Sequence, residues 1–253
     1  MKNSKYFIAP LIIFSCLRLS YAQPKVILHL TGGYSIPSAD LRGTYPGYPE
    51  IAPSAYFMNS GFNFSVDGKY YINKQRSMGI TLGLSYNVFS TDDLGGYTDE
   101  FGNPYTVKNN IYLFTVDMGL EYCFAPKAKI NPFVGAEFAV NLFNGSSTPS
   151  RGSSVLTLKP STRFGVNFGG GIEWHIGQTA GLVLGVKYDL ANLIGKKDTT
   201  ESKSGKDYTL VDAAYTDVTG KSESSRSIQY IQLYAGVSFY LWAPKPKKII
   251  LRD

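Results

Sequence analysis

Cysteine and histidine are nearly absent from this chain. Of 253 residues only Cys16, Cys123, His29 and His175 carry a thiol or an imidazole. A disulfide-built scaffold is excluded, and no cluster has zinc-ligand spacing. Charge is scarce too, at 17%, below the roughly 25% of a water-soluble domain, so something other than water is expected to face much of the surface. Beyond the N-terminal segment no run approaches the ~18 consecutive apolar residues of a transmembrane helix. If a membrane is crossed, strands must cross it. The triplet Gly169-Gly170-Gly171 sits inside a strand pattern, so it does not open a helix and is no phosphate loop.

The N-terminus has the parts of a secretory signal: Lys2 and Lys5, an apolar run from Tyr6 to Leu17, then Ser20-Tyr21-Ala22 with small residues where a signal peptidase reads them. Cleavage is expected after Ala22, giving a signal peptide at 1–22. A retained anchor fits less well because the apolar run is too short to span, and a lipoprotein reading through Cys16 meets Phe14 where a small residue belongs. Removing 1–22 takes Lys2, Lys5 and Arg18 and no acid, which lowers the formal charge from +6 to +3. That is no basis for nucleic-acid binding. Cleavage also leaves Cys123 alone, without an internal partner.

What the chain has in quantity is 26 Gly, 19 Tyr and 15 Phe, arranged with a period of two. From Ile111 to Phe124, Tyr112, Phe114, Val116, Met118, Leu120, Tyr122 and Phe124 share one face, and Thr115, Asp117, Gly119 and Glu121 the other. A helix would scatter these residues; a strand separates them. The same alternation runs through Val26–Tyr34, Phe62–Ile72, Ile80–Val88, Val134–Leu142, Arg163–Ile176, Leu182–Leu190 and Ile228–Leu241. That makes eight strands in one domain over residues 23–242, followed by a short basic tail at 243–253. The connections alternate in length. Short ones fall at 73–77, 125–130 and 177–180, and long ones at 37–57, 90–108, 145–160 and 194–226. The last loop, rich in Ser, Thr, Lys and Asp, reads as solvated and mobile, with a short hairpin around 208–218.

Periodicity does not say which face is inside, so a soluble ligand-binding barrel competes with a membrane barrel. Volume decides between them: eight strands enclose a space just wide enough for side chains, which this many Phe, Tyr, Trp, Leu and Ile would overfill. The opposite face carries Gly83, Gly119, Gly135, Gly165, Gly169, Gly171 and Gly185 among Ser, Thr and Asn, which suits a narrow polar lumen. On the apolar face Tyr34, Tyr86, Tyr112 and Tyr188 collect toward the long loops, and Tyr70, Tyr122, Phe124 and Trp174 toward the short turns. They form the two interfacial girdles of a barrel in a bilayer. The expected fold is all-β, an eight-stranded antiparallel up-and-down transmembrane barrel with short periplasmic turns and long outer loops.

The export signal, the eight alternating strands, Phe168-Gly169-Gly170-Gly171 and the closing Gly236-Val237-Ser238-Phe239-Tyr240-Leu241-Trp242 resemble the small outer-membrane β-barrel proteins, the OmpA-like and OmpX-like barrels and the porin-family proteins of Bacteroidetes-type bacteria. The resemblance covers nearly all of the mature chain and rests on pattern, not on a diagnostic motif. It implies the bacterial outer membrane after Sec-type export, outer-membrane lipid as the surroundings, and a monomer. After Trp242 only residues 243–253 remain, with Lys245, Lys247, Lys248 and Arg252, so no peptidoglycan-binding domain is expected.

Parity points one set of charges inward: Asp67, Asp117, Glu121, Glu137, Glu173 and Asp189 against Lys69, Arg163 and Lys187, with His29 and His175 able to join. Buried charges persist when paired or hydrated. Two readings stand at this point: a network that plugs the lumen and fixes register, or, as the OmpA-like resemblance suggests, a gate that opens to small ions. The acidic excess also allows a bound cation. Catalysis is not expected, because the two histidines lie on distant strands, neither is in a long loop, and neither has a His-x-Ser neighbour. No cofactor and no metal are implied. The expected function is a non-enzymatic barrel, structural or weakly pore-forming. The alternative is adhesion, assembly or secretion support through the outer loops 37–57 and 194–226, where Tyr45-Pro46-Gly47-Tyr48-Pro49, like Gly95-Gly96-Tyr97 in the second loop, could meet a surface or envelope partner.

Overall fold

A computed structural model describes residues 25–42, 56–91, 94–98, 101–150, 155–198, 207–216 and 222–241. The expected signal peptide at 1–22, the basic tail and Tyr45–Pro49 lie outside these. Eight long strands form in chain order: β1 (Val26–Ser38), β2 (Gly61–Tyr71), β3 (Met78–Ser90), β4 (Pro104–Cys123), β5 (Ile130–Pro149), β6 (Leu156–His175), β7 (Ala180–Ile194) and β8 (Ile228–Leu241). Each pairs antiparallel with its sequence neighbour, except that β1 and β8 pair with each other from Val26–Leu241 to Ser38–Gln229. That pairing closes the sheet. No strand of the barrel belt is left with an unpaired edge, which is the condition for β-structure in lipid.

Alternation places the apolar set outside. Phe62, Phe64, Leu82, Met118, Phe138, Phe168 and Leu184 are all exposed on the outer wall, in a band far larger than a water-soluble protein leaves uncovered. Aromatic pairs mark its rims: Tyr86 stacks on Tyr112 at 6.3 Å toward the long connections, and Tyr122 meets Phe124 edge-on at 5.2 Å toward the short turns. On the inner wall glycine makes room for polar side chains. A Cβ on Gly83 would lie 2.1 Å from Asp117 Oδ1 and 2.5 Å from Asp67 Oδ1, so this strand passes two carboxylates only as glycine.

Two of the long connections are shorter than their composition suggests. The chain at 90–108 and 145–160 is largely strand, because β4 begins at Pro104, β5 runs to Pro149 and β6 begins at Leu156. Twenty residues per strand is about twice what a bilayer needs, so these three project beyond the belt. Leu94–Thr98 pairs along β4 on one side of the projection, and Asp207–Tyr208 runs parallel to Thr157–Leu158 of β6 on the other. Ser146, Ser147 and Thr148 look like a loop because both faces of this stretch meet water and the alternation fades. Their backbone groups nonetheless pair with Asn110, Asn109 and Lys108.

If the outer wall faces hydrocarbon, Leu84→Arg, near the middle of β3, should destabilise the lipid-folded protein by about 2–4 kcal/mol. Phe101→Arg, beyond the belt, should change stability little. Urea titration in lipid vesicles, followed by the heat-modifiable mobility of the folded band, checks both.

Candidate functional site: a layered lumen

The inner wall is built in layers. At the turn end Ile27, Tyr71, Cys123, Phe133, Val183 and Tyr240 form a buried apolar cluster. Above it Lys69 Nζ is held 2.7 Å from Glu121 Oε1 and 3.1 Å from Glu173 Oε2. The rings of Tyr71 and Phe133 approach the same ammonium at 5.4 and 5.3 Å. Lys69 and Glu173 are both essentially inaccessible to solvent, at 1% and 0% exposure. Removing one partner of such a group strands the others in low dielectric.

The middle layer has a different charge balance. Lys187 Nζ lies 2.7 Å from Glu137 Oε2 and 3.4 Å from Asp117 Oδ2, and four acids surround this one lysine. Neutral donors serve the rest: Ser65 Oγ donates to Asp67, Thr81 Oγ1 to Glu137 and Gln232 Nε2 to Asp189. Between the two layers a cavity of about 50 Å³, lined by His29, Thr31, Asp67, Lys69, Glu137 and Lys187, has room for a few waters.

The loop end is closed by another apolar cluster. Phe89, Ile111, Leu113, Phe143, Leu158, Ala191, Ile228 and Tyr230 of the barrel are packed with Leu41, Met58 and Leu210 from the connections. Phe89 and Tyr230 meet edge-on at 5.4 Å. Arg163 belongs here and not with the other inward charges. Its Nη2 lies 2.7 Å from Asp212 Oδ1, its Nε donates to Asp212 Oδ2 at 2.8 Å, and Nη2 also donates to the Leu210 carbonyl. Asn192 Nδ2 and the Lys197 amide complete the shell around Asp212. Tyr56 donates to the Val211 carbonyl at 3.1 Å, and burial raises its phenol well above the ordinary range, so it stays a donor.

Of the nine charges that parity turns inward, eight gather around Lys69 or Lys187. The ninth, Arg163, reaches a partner in the connection 194–226 that the strand pattern does not contain. That connection is anchored rather than simply solvated: Leu210 is 3% and Asp212 0% exposed. Its small hairpin pairs Tyr215–Thr216 with Ser222–Glu223, later in the chain than the expected 208–218.

Sequence reading also misses one pair. His29 Nδ1 lies 2.9 Å from Ser238 Oγ, from strands at opposite ends of the chain. Ser238 is fully buried and does not line the cavity, so no acyl substrate reaches its hydroxyl. His175 lies 3.8 Å from Glu173 and beside the Tyr240 ring. Among the described residues no group of three or more His, Cys, Asp or Glu is arranged to hold a metal ion.

A closed eight-stranded barrel with an apolar outer band, aromatic rims and a packed polar interior defines a transmembrane β-barrel protein. The sequence matches the outer membrane protein β-barrel domain family over residues 7–210, most of the chain, and the protein belongs to that family. Among solved structures it is similar to Neisserial surface protein A, at 14% identity over 86% of this chain and 97% of that one, with a TM-score of 0.48. It is also similar to OprG from Pseudomonas aeruginosa, at 10% identity over 87% and 98%, with a TM-score of 0.45. A third is Ail, the attachment invasion locus protein of Yersinia pestis, solved with a heparin analogue, at 9% identity over 85% and 99%, with a TM-score of 0.42. No curated protein sequence matches the chain.

The Lys69 cluster makes a direct prediction. Lys69→Met should cost about 3–5 kcal/mol by leaving Glu121 and Glu173 uncompensated. Adding Glu121→Gln and Glu173→Gln to it should recover most of that loss. Equilibrium unfolding from lipid vesicles, read by tryptophan fluorescence, measures the difference.

Proposed function

We propose that this is a non-enzymatic, closed-lumen barrel of the bacterial outer membrane, a structural component of the envelope and not a conducting pore. The observation that carries this reading is the loop-end stopper, in which Leu41, Met58 and Leu210 fill the mouth and Arg163–Asp212 ties the covering segment to β6. A gate needs an open state that is cheap to reach. Opening here would expose an apolar cluster and separate a buried bidentate ion pair, and a second apolar cluster would still close the turn end. The charge layers between are held by many strands at once, which supports a role in fixing register.

A second reading has its own support. The projecting sheet of β4, β5 and β6 presents Leu94–Thr98 with a partner strand on one side only among the described residues, a geometry that accepts an added strand from another protein. Deleting 92–103 should then abolish binding of an envelope partner while leaving the heat-modifiable band intact.

Planar-bilayer recording tests the first reading. The refolded protein should give no current steps above a protein-free bilayer. Asp212→Ala combined with Phe133→Ala and Tyr240→Ala, which weakens both stoppers, should give discrete openings. Regular steps from the unmodified protein would overturn the closed-lumen reading. Asp212→Ala alone should also speed tryptic cleavage within 196–221 at least tenfold, because the segment loses its anchor.

A further inference from the structure

The two ends of the barrel differ in charge. Among the described residues the turn end exposes Lys25, Lys74 and Lys127, holds Arg76 and Lys129 half-buried, and carries no acid in its three turns at 72–77, 124–129 and 176–179. The loop end is mixed, with Asp40, Asp198 and Asp207 among its cations and Lys159 paired to Asp207 at 2.9 Å. Two of the turn-end lysines stand over lipid-facing rings: Lys25 Nζ is 5.1 Å from the Tyr70 ring centre, and Lys129 Nζ is 5.8 Å from that of Trp174. These contacts hold cations at the level where headgroups meet hydrocarbon.

Trp174 also forms one wall of a hollow in the outer surface. The hollow has a volume of about 560 Å³ and is lined by Ile172, Trp174, Leu182, Leu184, Ala235 and Val237. Its cause is local: Ala235, paired with Leu184, is a small residue on an outer wall of large ones. The Lys129 carbonyl accepts the His175 amide at 2.8 Å, which fixes the lysine directly beside Trp174 at the rim of the hollow.

We propose that this rim and hollow together are a binding site for an anionic glycerophospholipid, with the phosphate on Lys129 and Lys127 and an acyl chain laid into the hollow along Leu182, Leu184 and Ala235. The cations favour a net-negative headgroup over a zwitterion, since among the described residues the three turns hold no acid to partner a choline or an ethanolamine. The hollow favours a lipid over a soluble phosphate, because only a chain covers it. The site goes beyond the closed-lumen reading and does not depend on it.

The test is native mass spectrometry of the refolded full-length barrel in detergent, titrated with phosphatidylglycerol or with phosphatidylcholine. Phosphatidylglycerol should half-saturate one site at a concentration at least tenfold lower than phosphatidylcholine. Lys127→Gln with Lys129→Gln should remove that preference, and Lys129→Arg should keep it. Ala235→Leu, which fills the hollow from outside the wall, should weaken both lipids at least fivefold while the heat-modifiable band stays unchanged. Equal binding of the two lipids, or an adduct indifferent to either the lysine or the Ala235 substitutions, would overturn the proposal.

Discussion

Closure of the sheet is the constraint on which the rest of this molecule depends. In hydrocarbon a backbone amide finds no water, and each one left unpaired costs several kcal/mol. The pairing of β1 with β8 over thirteen residues removes the last open edge of the belt. Once the sheet is closed at eight strands, the diameter is set and the interior is narrow. A narrow interior with inward side chains from every strand must be filled to native density or hydrated, and this one is filled apart from a small polar cavity between its charge layers.

That filling explains the charge pattern. Six inward acids share two lysines because a long side chain on a narrow wall reaches across the lumen: Lys69 on β2 joins Glu121 on β4 to Glu173 on β6. Strands that are not neighbours in the sheet are thereby tied together through the middle. Asp67, Glu137 and Asp189 also take hydroxyl or amide donors, and Asn167 lies between Asp117 and Asp189, within 3.3 and 2.9 Å of an oxygen of each. Such a network stabilises the barrel only while all its members are present, which is why single neutralisations are expected to be worse than triple ones.

The sequence makes the inward set legible because a strand's period is two and a one-residue slip would turn every lumen residue into lipid. Lys69, Asp117, Glu121, Glu137, Glu173, Lys187 and Asp189 all follow from that rule. Who meets whom does not follow, since it depends on the stagger between strands, and nothing in the alternation encodes stagger. Ile111, Leu113, Phe89 and Phe143 have inward parity but are apolar, so near the strand ends both faces look alike and the stoppers cannot be read. Asp212 sits in a Ser-, Thr- and Lys-rich stretch whose composition says solvent, and only Arg163, 49 residues earlier, says otherwise.

The loop-end stopper had to come partly from connections, and the unequal strand lengths show why. β4, β5 and β6 continue beyond the belt as an open sheet, whereas β1 stops at Ser38, β2 begins at Gly61 and β3 ends at Ser90. On the short side of the mouth Phe89, Ile228 and Tyr230 are the inward strand residues that face Leu113, Phe143 and Leu158 of the long side, and they leave part of the opening unfilled. Leu41 from the helical turn 39–42, Met58 just before β2, and Leu210 occupy that space. The Leu210 segment would be lost to water without an anchor, because one apolar side chain does not by itself offset the ordering of a long loop. Arg163–Asp212 supplies the anchor from β6, one of the three strands that border the mouth and extend above it.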